Sequence, residues 1–199
     1  MAEPTFFEAA RLQRGTRRFA PDAVSETTVD RILQAATWAP SGSNRQPWHF
    51  IVVREREPKR RLGELYREGA LAARGGGTPE PPPAPEPGVP GIFSDDLENV
   101  PVVLMVCLET WDTQGRDNLL GAHIFPAVQN LMLAAAALGL GTRLTTIWQH
   151  RETEVRALLA IPDNVELMAM IPVGYPGGGE HLGGSKRKPL DEVVHRERW

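Results

Sequence analysis

Ala39-Pro40-Ser41-Gly42-Ser43-Asn44-Arg45-Gln46-Pro47-Trp48-His49-Phe50 stands between an amphipathic helix and an apolar strand, and the chain is organised around it. Before it, Val29, Ile32, Leu33 and Ala36 recur at helical spacing. After it, Phe50-Ile51-Val52-Val53 has the composition of a buried strand. The two prolines fix φ at the ends of the stretch and stop the helix. Between them lie Ser41, Ser43, Asn44 and Gln46, whose side chains both donate and accept hydrogen bonds. Such a loop can read the edge of a flat heteroaromatic ring. It can equally be a turn whose side chains satisfy only their own backbone.

The 199 residues predict one domain, with 41% hydrophobic and 24% charged residues, enough for a sizeable core. A net charge of −3 without a long basic run gives nucleic acid nothing to hold. The single cysteine, Cys107, sits in the apolar run Val102–Leu108 and is expected as a buried small hydrophobe. Met1-Ala2-Glu3-Pro4 is no secretory leader. The most apolar run, Leu131 to Leu140, is about half the ~20 residues that span a bilayer. The expectation is a soluble, cytoplasmic protein without a membrane partner. The histidines are scattered and no Cys cluster exists, so no metal site is expected. Nucleophile elbows and Gly-Lys-Ser/Thr phosphate loops are missing from the sequence too. Asp95-Asp96 suits a helix cap better than a pair of catalytic acids.

In chain order, Thr5 and Glu8 form a capping box for a helix over Phe6–Leu12. Arg14, Arg17 and Arg18 follow, either a solvated face or a phosphate grip. Ser25 caps a second helix. Pro58 predicts the first position of a third, carrying Leu62, Leu65 and Tyr66 and reaching Arg74. From Gly75 to Gly91, twelve of seventeen residues are Gly or Pro, which predicts a polyproline-like or mobile excursion, lid or linker. Pro101–Leu108 is apolar without alternation, so a central strand covered on both faces is expected. After a loop at Trp111–Asp117, the segment Leu119–Leu138 is apolar nearly all round and predicts a helix buried on every side. Pro126 should mark its first turn or a kink, and Gly139 its C-terminal cap. Thr142–Trp148 reads as a strand or its edge, Glu154–Leu159 as a short helix, and Val165–Val173 as a buried strand. A flexible tail begins at Gly177 and runs through the basic Lys186-Arg187-Lys188 to Trp199.

Pro40-Ser41, Asn44, Gln46-Pro47-Trp48 and the strand after them resemble the flavin-binding loop of the nitroreductase-like family of FMN-dependent oxidoreductases. The segment before Phe19 resembles that family's Arg-Arg-Ser-x-Arg-x-Phe, with Gln13 and Gly15 standing where an Arg and the Ser are usual. The helix ending Leu-Gly-Leu-Gly-Thr and the tail with Pro189-Leu190 are similar too. The resemblance implies an α+β fold: a mostly antiparallel central sheet flanked by helices, assembled as a homodimer with flavin sites shared between subunits. It implies FMN contacts from Pro40, Ser41, Ser43, Asn44 and Gln46. It implies a phosphate held by Arg14, Arg187 and Lys188, with Thr16 replacing the missing hydroxyl. Arg17 would face N1/O2 of the ring, and Thr145 and Thr146 would lie near N5. NADH or NADPH would deliver hydride to the flavin, and a small organic acceptor, nitroaromatic or quinone, would take it in a ping-pong cycle. Trp111 and Trp148 are candidate walls for a stacked substrate or plain packing residues. No side-chain acid or base is required, since the cofactor carries the redox chemistry. A dehydrogenase of a biosynthetic intermediate and a non-catalytic flavin-storage protein remain alternatives.

Overall fold

The computed structural model describes residues 4–76, 90–111 and 119–199. Thr5 closes the expected capping box with Glu8 on α1, Phe6–Leu12. The Ser25 hydroxyl accepts from Thr28 N–H at the start of α2, Glu26–Thr37. β1, Trp48–Val53, leads into α3, Arg56–Ala72. That helix begins two residues before the expected start, so Pro58 is its third residue rather than its first. The position costs nothing, because the N–H that proline lacks has no intrahelical partner there. α3 stops at Ala72, short of Arg74. Of the Pro/Gly-rich segment Gly75–Gly91, residues 77–89 lie outside the described residues, as do residues 112–118 of the loop expected after Trp111.

β2, Val102–Glu109, is buried along all but its last residue. α4, Leu120–Ala137, follows, then the two-residue β3, Gly141–Thr142. α5, Glu152–Leu159, and β4, Val165–Gly174, complete the order. The sheet order is β1-β2-β4-β3, every neighbouring pair antiparallel.

The lack of alternation in β2 has the expected cause. Val102, Leu104, Val106 and Leu108 pack on one face with α2 and α4, while Val103, Met105 and Cys107 pack on the other with α3 and α5. A bulge in β4 opposite Val106/Cys107 puts the consecutive residues Met168 and Ala169 on the same face, and strict alternation resumes at Met170. Burial pushes the Cys107 thiol up to about 11. Lys59, also buried, donates to Val100 O at 2.5 Å; its ammonium is held below the usual lysine range by desolvation first and by Arg54 and Arg56 second.

Two expectations for the second half of the chain need correction. Thr142–Trp148 is not one strand: β3 ends at Thr142, one bridge joins Thr145 to Met170, and Ile147–Arg151 is a 3-10 helix. Pro172 explains the lapse. It faces Arg143, accepts one bond from Arg143 N–H at 3.4 Å, and has no N–H to return. α4 is not buried on every side either. Ile124, Ala127, Val128, Leu131 and Ala135 face the core, but Ala122, Phe125 and Gln129 form an exposed stripe, with Phe125 41% exposed. Pro126 falls in its interior rather than its first turn. Gly139, at φ 78°, closes the helix: Gly139 N–H donates to Ala136 O and Leu140 N–H to Ala135 O, the paired bonds of a Schellman cap. By length and apolarity α4 could cross a membrane, but it is packed against the sheet.

Candidate functional site

Pro40 is exposed where α2 ends, and the residues after it fold tightly. Asn44 N–H donates to Ser41 O at 3.0 Å, and Gln46 N–H donates to the Ser41 hydroxyl at 2.9 Å. Gln46 Nε2 donates to Asn44 Oδ1 at 3.1 Å. To this extent the loop satisfies itself, as a plain turn would. Ser43 does not take part, and no partner for its hydroxyl occurs among the described residues. Ser43, Asn44 and Gln46 have φ of 54°, 52° and 53°. Three non-glycine residues in the left-handed region within four positions store strain of the kind found at ligand sites.

The first turn of α4 braces this loop. His123 Nδ1 accepts from Gly42 N–H at 3.1 Å. The imidazole stands edge-on to Trp111, centroids 5.0 Å apart, and the Arg45 guanidinium lies 5.2 Å over the Trp111 ring. A Cβ on Gly42 would meet His123 Cε1 at 2.3 Å, so any side chain there displaces the imidazole. Trp111 is therefore a partly buried member of the loop's support. Trp148 differs: it is 5% exposed inside the α3/α5 core, so in this chain it packs rather than presenting a ring.

The second group of candidates lies past the other end of α4. Gly15 bridges Thr142, and Thr16 N–H donates to Thr142 O. Because the strip is extended, its side chains alternate: Thr16 is completely buried against Gly141, while Gly15 and Arg17 are exposed. The Thr16 hydroxyl therefore cannot stand in for one at position 15; it points to the opposite side and has no hydrogen-bond partner among the described residues. Arg14 is engaged, with Glu180 Oε2 at 3.3 Å and Gly183 O at 3.4 Å, and fastens the start of the tail together with the bond from Gly183 N–H to Leu12 O. Arg18 donates to Pro90 O. Arg17 is exposed, and no carboxylate partner for it occurs among the described residues. Thr145 is buried, its hydroxyl bonded to Tyr66 OH and its backbone paired with Met170, so its N–H is already used. Thr146 is partly exposed. Arg187 and Lys188 are exposed on the tail, and the Arg187 guanidinium donates to Lys186 O.

The two groups of candidate residues therefore lie at opposite ends of α4. The 40–46 loop rests on His123 in the first turn of α4, and the Arg17 strip rests on residues just beyond its last turn. From His123 to Ala137 the helix rises about 20 Å. Sequence reasoning missed His123, Arg45 and Arg143. Nothing marked the first two. For Arg143 the signal was the small residue at position 15, whose empty side the Arg143 guanidinium fills.

The sequence profile of the Nitroreductase family matches residues 11–175. An NADH dehydrogenase of Thermus thermophilus is 29% identical over 204 residues, 94% of this chain and 93% of that one. Two solved structures share the fold. An NADPH:FMN oxidoreductase from Vibrio harveyi complexed with NAD+ has a TM-score of 0.73 and 21% identity, covering 98% of this chain and 77% of that one. An iodotyrosine deiodinase bound to FMN and 3-iodo-L-tyrosine has a TM-score of 0.75 and 23% identity, covering 98% of this chain and 100% of that one.

Proposed function

The chain belongs to the nitroreductase family, and on that premise we propose that it is an FMN-dependent oxidoreductase passing reducing equivalents from NADH or NADPH to a small organic acceptor. The observation that supports the reading is that the two groups of candidate flavin ligands lie at opposite ends of α4. A two-fold contact centred near Gln129, at the middle of the helix and the end of the exposed stripe, sets two copies of the helix antiparallel. The loop end of one copy then meets the Arg17 end of the other. Two equivalent sites result, each incomplete in a single chain. The exposed Phe6, Phe7 and Trp38 add apolar surface that a lone chain would leave in water.

The residues present fit a flavin mononucleotide. Its pyrimidine edge needs donors and acceptors at fixed positions, and Ser43, Asn44 and Gln46 offer them from a backbone already held in its strained form. Arg17 supplies a fixed positive charge, and Thr146, partly exposed, lies on the same end of the fold. The tail residues Arg187 and Lys188 offer further cations for the phosphate. When bound, the flavin supplies the redox chemistry. The protein's part is to hold its ring and to place Arg17 where its charge favours negative charge on the ring.

The test is an absorbance spectrum of the purified protein, with flavin identified by chromatography after denaturation, then anaerobic titration with NADH and NADPH. Bound FMN that bleaches with either donor and recovers with an acceptor supports the proposal. Failure to bind FMN on reconstitution overturns it. Light scattering tests the assembly: a monomer that retains full flavin occupancy would refute the shared site.

A further inference from the structure

Four arginines lie near position 15, and two of them are hydrogen-bonded within the chain. Arg14 pairs with Glu180 and fastens the tail, and Arg18 holds Pro90 O. Gln13, where a third cation could have stood, turns toward α4 and reaches Met132 Sδ at 3.7 Å. Arg17 and Arg143 remain, and no carboxylate pairs with either among the described residues.

Arg143 is placed with care. A Cβ built on Gly15 would stand 3.1 Å from Arg143 Nη1, so the guanidinium occupies the space a side chain at 15 would take. Its plane is supported by Phe93, with Cζ 5.8 Å from the ring centroid. Phe93 is a fixed platform: it is 3% exposed, edge-on to Tyr66, and its N–H donates to Arg17 O at 2.8 Å. The alternation that buries Thr16 sends Gly15 and Arg17 to the same side. The Arg143 guanidinium therefore lies at position 15 on the face that Arg17 shares, the two backbone positions being about 6.6 Å apart along the strip. Two guanidinium groups without a carboxylate partner on one face, one preorganised on an aromatic ring, suit an anionic ligand that sets its phosphate against one and a polar ring edge against the other.

We propose that Arg143, seated over Gly15 on the Phe93 ring, is the principal cation for the phosphomonoester of FMN, with Arg17 serving the ring edge and Arg14 serving as a latch for the tail. The inference rests on the flavin reading above and reassigns the phosphate contact within it. The glycine at 15 is then no defect in the grip, because it makes room for an arginine arriving from a different part of the chain.

The experiment is fluorescence titration of the apoprotein with FMN and, separately, with riboflavin, which lacks the phosphate. Wild type should prefer FMN. Arg143→Ala should lose roughly 10- to 100-fold in FMN affinity with riboflavin affinity unchanged, and Arg143→Lys should recover part of the loss. Arg17→Ala should weaken both ligands, and Arg14→Ala should change FMN affinity less than Arg143→Ala. Arg143→Gln, neutral and of similar reach, carries the same test if the alanine variant folds poorly by circular dichroism. FMN binding by Arg143→Ala equal to wild type, or a parallel loss of FMN and riboflavin in the folded Arg143→Gln variant, would overturn the assignment. Wild-type apoprotein that binds neither ligand would instead overturn the flavin reading, and this inference with it.

Discussion

Replacing Gly42 by alanine should test whether His123 braces the candidate flavin loop. The added Cβ would lie 2.3 Å from His123 Cε1 and 3.0 Å from Nδ1, where carbon atoms prefer about 3.5–4.0 Å. The ring cannot stay, so the hydrogen bond from Gly42 N–H and the edge contact with Trp111 both go. Those two interactions are worth about 0.5–1.5 kcal/mol each. Both groups are partly solvated, so the ring can swing outward, and overpacking adds only the low end of its usual 1–3 kcal/mol range, about 1 kcal/mol. Reduced freedom of the unfolded chain returns about 0.5–1 kcal/mol. The net loss is about 1–3 kcal/mol, or roughly 3–8 °C in Tm for a chain of this size. His123→Ala alone should cost about 1–2 kcal/mol through the same lost contacts. Urea unfolding of wild type, both single variants and the double variant closes a thermodynamic cycle. Once His123 is gone the alanine at 42 has nothing to strike, so the double variant should be no less stable than His123→Ala. Additive losses would show that the clash is absorbed elsewhere and that His123 does not brace the loop.

Ser43→Gly should raise stability by up to about 1 kcal/mol by relieving a left-handed serine, with glycine's chain entropy offsetting part of the gain; FMN affinity should fall at the same time, and a gain in both would remove Ser43 from the site. Arg17→Ala should weaken FMN binding by about 1.5–3 kcal/mol, while Arg18→Ala should lower Tm through the lost bond to Pro90 O and leave the flavin largely in place; equal effects on flavin affinity would contradict the alternation seen in the strip. Cys107, buried and with its thiol pushed up to about 11, should resist alkylation in the native protein at pH 8 and react fully in denaturant; fast native labelling would show that the core opens.

Much of this was legible in the residues. The capping box at Thr5 and Glu8, the Ser25 cap, the Gly139 terminus and the two-faced apolar run of β2 are local signals, each read within a few neighbours. The errors arose where a distant residue decides the outcome. Pro172 limits β3 from the neighbouring strand, and nothing between Thr142 and Trp148 announces it. The open stripe on α4 could not be told from a buried side by composition, since Ala122 and Phe125 are as apolar as the residues that face the core. Thr16 was misread because sequence proximity to position 15 ignored the reversal of side in an extended chain. Arg143 is distant in sequence from Gly15, and only the fold brings its guanidinium there.

The central strand that gives the sheet its core also shapes how the chain must be made. β2 pairs with β4 across residues 110–164, so it waits on a distant stretch of chain, while α4 between them forms locally and early. Until β4 arrives, Val102–Leu108 is an uncharged, proline-free, wholly apolar run with three valines, the composition that seeds intermolecular sheets. Yield on expression should therefore follow temperature and synthesis rate more closely than Tm. Glu109, where the strand emerges into solvent, already supplies a charge that guards against such pairing, so Glu109→Val should lower soluble yield without touching the native core.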